Sequence, residues 1–281
     1  MLTDLHTHTS WSPDAEGSAE ELCLRAQETG LFRLAVTDHC DCNFWLPEGE
    51  ADVPECQRCD SMMLGARDYA NASIDEVSKL KERFPFLLCG IELGQPLQAP
   101  EAAAEITAWK ELDFIIGSQH MNRGCADFYW LKYDGMSDGE ISSLLEDYYA
   151  QVLEMCRFAD FDVLGHLTYP LRYIVGDFGR SYDAEHFEEA VREIFKALIS
   201  RGKGIEINTS GLRQKINSTM PPLEYVKLYR ELGGEILTIG SDSHRTADLG
   251  SGVETGAELA KAAGFKRIAY FEARKPLFIE I

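Results

Sequence analysis

No stretch of this chain is long and apolar enough to cross a bilayer. Its longest apolar runs, such as FPFLLCGIELG, fall well short of the ~20 residues that a membrane helix needs. The N-terminus lacks a basic region followed by an apolar run, so no signal peptide is read and a cytoplasmic location is expected. Basic residues are scarce: 27 Lys and Arg stand against 47 Asp and Glu, for a net charge of −20. That balance excludes a general nucleic-acid partner, because a phosphate backbone requires a basic surface. A small phosphorylated substrate stays open, since it needs only metal ions or a few arginines nearby. The glycines lack the spacing of a nucleotide-binding loop. No linker rich in Pro, Gly or Ser divides the 281 residues, so one domain spanning 1–281 is expected.

Short β-rich runs alternate along the chain with helical patterns. Strands are expected at Leu2–Leu5, Leu31–Thr37, Phe86–Ile91, Asp113–Ile116, Asp162–Leu164, Gly204–Ile207, Glu235–Ile239 and Arg267–Tyr270. Between them, SAEELCLRAQETG runs from a Ser cap through Glu21 to Gly30, and six further segments show helical spacing of apolar residues. Strands alternating with helices imply parallel pairing through right-handed crossovers. Barrels of this kind run at roughly 250 residues, so a closed barrel fits better than a doubly wound open sheet. The irregular stretch Cys40–Asp60 reads as a long loop over one end. Its Cys40-x-Cys42 and Cys56-x-x-Cys59 are read as free thiols, with a structural zinc as the alternative.

In a parallel barrel, chemistry gathers at the C-terminal ends of the strands. Reading those ends in order gives His6 and His8, Asp38 and His39, Glu92, His120, His166, Asn208 and Thr209, and Asp242 with His244. Six of the seven histidines fall in this set, and only His186, inside a helical pattern, is left out. Alternate residues on a strand point the same way, so His6 and His8 can reach one face. Gathered without a metal, these groups would be a costly collection of partly buried polar atoms. Imidazoles and carboxylates are the usual ligands of zinc, iron and manganese, and the set is read as a metal site.

The motifs DLHTHTSWSPDA, TDH, GIELG, GSQH, GHLTYP and GSDSH, in this order, resemble those of the PHP (polymerase and histidinol phosphatase) superfamily. IEINTSGLR and LYRELGGEILTIGSDSHRTADLG resemble its histidinol-phosphate phosphatase branch. The resemblance implies a distorted (β/α)7 TIM-like barrel with two or three divalent transition-metal ions. It implies that His6, His8, Glu92 and Asp242 hold one metal, and that Glu92 bridges to a second held by His120 and His166. A third would use Asp14, His39 and His244. Many relatives have His where this chain has Asp14; the exchange adds charge and harder oxygen character, which favours manganese or iron over zinc. Asp14 also reads as a plain turn residue after Pro13.

Two metals bridged by a carboxylate can lower the pKa of a shared water and supply hydroxide at neutral pH, and they polarise a phosphoryl oxygen. The expected reaction is hydrolysis of a small phosphomonoester, and the resemblance points to L-histidinol phosphate. The alternatives are another phosphate ester, such as a nucleotide or a cyclic phosphodiester, and a metal-binding domain without catalysis. Arg172 and Arg213, just beyond the fifth and sixth strand ends, are the expected phosphate ligands, because a guanidinium can hold two oxygens at once. Asp242 is the first choice for moving the proton to the leaving alkoxide, with His244 as the alternative.

Overall fold

The structure is a computed structural model that describes residues 1–42 and 59–281, the last of these segments by backbone alone as far as residue 69. The elements run β1 (Thr3–Asp4), α1 (Ala19–Thr29), β2 (Arg33–Val36), β3 (His39–Asp41), α2 (Cys59–Leu80), β4 (Leu87–Gly94), α3 (Pro100–Thr107), β5 (Phe114–Ser118) and α4 (Asp138–Phe158). There follow β6 (Val163–Leu164), α5 (Ala184–Ser200), β7 (Gly204–Asn208), α6 (Leu223–Glu231), β8 (Leu237–Gly240), α7 (Val253–Ala262), β9 (Arg267–Glu272) and β10 (Lys275–Glu280). The main sheet is parallel, in the order β1-β2-β4-β5-β6-β7-β8. Its two edges meet: Leu5 N–H donates to the Ile239 carbonyl (3.0 Å), Asp242 N–H to His6 (2.8 Å) and His8 N–H to Ser243 (2.9 Å). The result is the expected (β/α)7 barrel, closed between its first and last parallel strands.

Each layer follows from local sequence. Helix α1 starts in the reciprocal Ser18–Glu21 capping box, ends at Gly30 with φ 73°, and buries Ala19, Leu22, Cys23 and Ala26 at helical spacing. On β4 the period is two. Leu87, Cys89, Ile91 and Leu93 join the core under the helices, while Leu88 and Glu92 face the barrel axis.

Two expectations need correction. The stretch read as a loop from Cys40 begins as a strand: β3 pairs His39 with Glu92 and Asp41 with Gly94. It continues the line of β2, which pairs the first half of β4 through Leu34–Leu87 and Val36–Cys89. Gly94 permits the pairing, since a Cβ there would lie 1.8 Å from Asp41 Oδ1. The last expected strand, at Arg267, does not enter the barrel. It forms an antiparallel hairpin with β10, whose Ala269, Phe271 and Phe278 cover Leu5, Leu88, Phe114 and Val163 at the end of the barrel where the strands begin. Alternating β pattern is the same in both settings, so pattern alone could not separate a barrel stave from a plug. Arg274, at the hairpin turn, donates through Nε to Asp162 (2.6 Å) and through its backbone N–H to the Asp113 carbonyl (2.9 Å).

Cys40 and Cys42 are buried, and no described cysteine lies in a group of donors close enough to share an ion. Cys56 and the Cys59 side chain lie outside the described residues. Among the described residues no helix is long and apolar enough to cross a membrane.

Candidate metal centre

Glu92 stands at the centre of the strand ends, 1% exposed. Its Oε1 lies 2.7 Å from His166 Nε2 and 3.1 Å from His120 Nε2, and accepts a hydrogen bond from Ser118 (2.6 Å). Its Oε2 lies 2.7 Å from His39 Nδ1, 3.5 Å from His6 Nε2 and 3.6 Å from His8 Nε2. One carboxylate thus faces two histidine clusters, one through each oxygen. Asp242 Oδ1 faces the same side, 3.4 Å from His8 Nε2 and 3.8 Å from His6 Nε2. Its backbone is left-handed, with φ 52°, a strained state for a non-glycine residue and one that clusters at functional sites.

Asp14 lies further out and is more than half exposed. Its oxygens are 3.5 Å from His39 Nε2 and 3.3 Å from His244 Nε2. His8, His39 and His244 bring one donor atom each within 4.8 Å of one another, as do His6, His8 and Glu92, and Glu92, His120 and His166. All nine residues expected as ligands therefore converge. His186, left out of that set, is exposed on α5 and pairs with Glu146 at 3.0 Å.

Burial opposes charge on every group here, and the sign of each shift shows what the neighbours do. For Glu92 the His120, His6 and His39 charges outweigh burial and hold the carboxyl well below the usual carboxylate range. His6, His8, His244 and Arg172 do the same for Asp242. Burial would lower His6, but Glu206, Glu92 and Asp242 raise it well above the usual imidazole value. Glu92 and Asp41 likewise overcome burial at His120 and push it up to about 10. His8 goes the other way, down to about 4, because burial is joined by repulsion from His244 and His39. The carboxylates thus demand cations, and protonated rings are a poor answer when several rings must share one space.

The donor atoms themselves fit metal. His6 Nε2 and His8 Nε2 are buried and meet only Glu92 Oε2 and Asp242 Oδ1, at 3.4–3.8 Å, while His39 Nδ1 closes on the same Glu92 oxygen at 2.7 Å. Three ring nitrogens gathered on one buried carboxylate oxygen are costly unless a cation fills the space between them. Nitrogen and carboxylate donors suit divalent zinc, iron or manganese.

The centre opens into a cavity of about 870 Å³ whose walls include Arg172, Arg213, Asp242 and His244. Arg172 begins a π-helical turn, Arg172–Asp177. Its Nη2 donates to Ser210 Oγ (2.8 Å) and Asp242 Oδ2 (3.1 Å), while its Nε is buried and makes no hydrogen bond among the described residues. Arg213 is exposed and donates through Nη2 to the Ser241 carbonyl (2.9 Å).

Three carboxylates support the centre; Glu206 and Asp41 do not stand out in the sequence, whereas Asp38 reads as a strand-end residue but not as a ligand. Glu206, buried inside β7, lies 2.7 Å from His6 Nδ1 and accepts the His166 backbone N–H (3.0 Å) and Asn208 Nδ2 (3.2 Å). Asp41 lies 3.3 Å from His120 Nδ1 and, with His39 and His120, forms a further cluster of donors. The signal was available: alternation puts Asp41 on the face of His39, and Glu206 on the face of Asn208. Asp38, beside His39, instead accepts bonds from Thr9 N–H (2.7 Å), Thr9 Oγ1 (2.8 Å), Ser12 Oγ (2.7 Å) and Ser73 Oγ (2.6 Å).

A closed barrel of seven parallel strands with histidines and carboxylates gathered at the strand ends defines a class of barrel proteins built around a candidate metal centre. This chain belongs to the PHP domain family, whose model matches residues 4–210. It is similar over its whole length to a probable histidinol-phosphatase of Clostridium acetobutylicum, with 28% identity over 278 residues and 98% of each chain covered. A histidinol-phosphatase of Lactococcus lactis subsp. lactis is 25% identical over 281 residues, covering 97% of this chain and 95% of the relative. The crystal structure of histidinol phosphate phosphatase from the same organism, complexed with zinc, L-histidinol and phosphate, has a TM-score of 0.75 at 23% identity and covers 98% of both chains. At that identity the structural likeness speaks for the fold.

Proposed function

We propose that the protein is a metal-dependent phosphomonoesterase that hydrolyses L-histidinol phosphate to L-histidinol and phosphate, a step of histidine biosynthesis. The observation that carries the chemistry is the set of buried imidazole nitrogens converging on both oxygens of Glu92, opening beside Arg172 into a cavity. The full-length similarity to proteins named histidinol-phosphatase supports the substrate. Residues 1–281 act as one domain in this reading, since Asp242 and His244 lie beyond the matched residues 4–210 yet complete the same cluster.

His6, His8, Glu92 and Asp242 would hold one metal, and Glu92, His120 and His166 a second. His39, His244 and Asp14 would hold a third. Bound there, zinc, iron or manganese ions would lower the pKa of water and offset charge on the phosphoryl oxygens. Arg172 and Arg213 both line the cavity, where their guanidinium groups would bind the phosphate oxygens, Arg213 from the turn that follows β7. Asp242, kept ionised by its neighbours, accepts the proton of the attacking water and passes it to the leaving alkoxide; His244 borders the same cavity and is the alternative carrier.

The test is phosphate release from L-histidinol phosphate, with nucleotides, other alcohol phosphates and cyclic phosphodiesters in the same panel, after loading with zinc, manganese or iron. The expected result is the highest kcat/KM for L-histidinol phosphate. No release with any of the metals refutes the proposal, and a preference for another ester by orders of magnitude refutes the substrate.

A further inference from the structure

We propose that Glu76, on helix α2, is a positioning residue for the outermost metal: it grips Trp11 and so fixes the loop that presents Asp14. The proposal rests on the three-metal reading above and deepens it. Asp14 does not place itself. It is more than half exposed, and it meets the rings of His39 (3.5 Å) and His244 (3.3 Å), its partners on the same ion. Its position has to come from the loop, residues 9–17, that carries it. That loop is bonded within itself and to the last motif. Ser10 N–H donates to the Gly17 carbonyl (2.7 Å), Ser12 N–H to Thr9 (2.9 Å), Ala15 N–H to Ser12 (3.2 Å) and Glu16 N–H to His244 (2.8 Å). A segment so bonded moves as a unit, and a shift at Trp11 is carried to Asp14, three residues on.

Trp11 is the one residue of DLHTHTSWSPDA whose size the metal chemistry does not use. Pro13 and Asp14 line the cavity, whereas Trp11 does not. Its half-buried indole turns to α2 instead, and Nε1–H donates to Glu76 Oε2 at 2.7 Å, the short length of a bond to a charged acceptor. Ser73, three residues before Glu76, lies on the same face of α2 and donates to Asp38 Oδ2 (2.6 Å). Asp38 in turn takes the Thr9 N–H and the hydroxyls of Thr9 and Ser12. Helix α2 therefore holds the loop at two points. The buried one, through Asp38 and Ser12, serves His8, whose Nδ1 lies 3.1 Å from Ser12 Oγ. The outer one, at Trp11, sets how the loop lies against α2, and with it how far Asp14 reaches toward His39 and His244.

Zinc titration of the full chain against a chromophoric chelator tests this, with Asp14→Ala marking which ion is the outermost. Trp11→Phe keeps the ring and removes only the N–H, and Glu76→Ala removes the acceptor. Each is expected to weaken the ion marked by Asp14→Ala by about 10-fold, the lower end of what loss of an outer partner costs a metal site, with the other two ions within twofold. Glu76→Gln, whose carbonyl oxygen accepts the same N–H, should restore the wild-type titration. The double variant Trp11→Phe/Glu76→Ala should lose no more than either single one, as expected of two halves of one bond. An unchanged outermost ion overturns the proposal. So does equal weakening of all three ions together with a lower urea midpoint, which would make the bond a plain structural contact. Wild-type protein that takes up only two zinc ions overturns the third site and the brace together, while phosphate release measured on the same samples scores the phosphatase reading separately.

Discussion

Replacing Glu206 with glutamine changes one atom and asks whether the carboxylate behind His6 sets the metal affinity of the centre. The Glu206 side chain accepts at three points: His6 Nδ1 at 2.7 Å on Oε1, and the His166 N–H at 3.0 Å and Asn208 Nδ2 at 3.2 Å on Oε2. With Nδ1–H bonded to a carboxylate, His6 keeps the lone pair on Nε2, the atom aimed at Glu92 and Asp242. A glutamine has one accepting oxygen. If that oxygen faces His6, the amide NH2 meets two donors, and both the His166 N–H and Asn208 Nδ2 lose this acceptor. If the amide is turned, NH2 meets Nδ1, the tautomer reverses, and Nε2 carries a proton in place of a metal. Either orientation costs about 1–3 kcal/mol for a buried group left unpaired. Loss of such an outer carboxylate typically weakens metal binding 10- to 100-fold, or about 1.4–2.8 kcal/mol at ~1.4 kcal/mol per decade. The assay is zinc competition against a chromophoric chelator, run beside urea unfolding of the metal-free protein. Zinc affinity within twofold of wild type, with the metal-free stability reduced, would refute the reasoning: Glu206 would then be a structural strut with no say over the metal.

Other outcomes follow from the same geometry. Arg172→Lys keeps the charge but not the planar fork, so kcat/KM should fall about 10- to 100-fold, the worth of a hydrogen bond to a charged group, with metal content intact; unaltered kinetics would remove Arg172 from the phosphate site. Gly240→Ala puts a Cβ 2.3 Å from His6 Cβ and 2.4 Å from Glu206 Oε1. It should cost about 1–3 kcal/mol in denaturant unfolding, as overpacking does, and should weaken zinc as Glu206→Gln does. In metal-free protein His120 is pushed up to about 10, chiefly by Glu92 working against burial. A raised folded-state value means that its charge contributes stability fully below the unfolded pKa of ~6.5. That contribution is lost as pH rises through the folded value. Metal-free protein should therefore weaken across that window, and zinc uptake at neutral pH should release protons. Calorimetry in two buffers of different ionisation enthalpy reads that release, and identical apparent enthalpies would contradict it.

What the sequence made legible was the stretch where residue type and period coincide. DLHTH, GIELG and GSDSH each end an apolar strand with polar residues that have no reason to be apolar-strand neighbours unless they face a common centre. Topology was less legible. Residues 267–270 alternate like a barrel strand, but β1 and β8 already close the ring by backbone bonds, so the last strand turns back as a hairpin beneath it. Closure is a property of all the strands together, and no local window contains it. β3 was hidden for a different reason: only three residues long, it opens into a cysteine- and proline-containing stretch whose composition reads as loop.

The contrast between Asp38 and Glu206 shows where strand-end reading is blind. Asp38 stands at a strand end next to His39 and has the chemistry of a ligand, yet it spends its oxygens on Thr9, Ser12 and Ser73. Ser12, so oriented, accepts the His39 N–H at 3.0 Å and meets His8 Nδ1 at 3.1 Å. Asp38 therefore acts by bracing the loop after β1 and presenting two imidazoles, not by binding. Glu206 sits inside IEIN, flanked by isoleucines whose side chains lie on the helix side. A buried carboxylate there is tolerable only because three donors surround it, the His6 ring among them. Both residues belong to the centre, but what distinguishes ligand from support is which atoms are left without a partner. That depends on contacts across strands, and it becomes visible only when the barrel is closed.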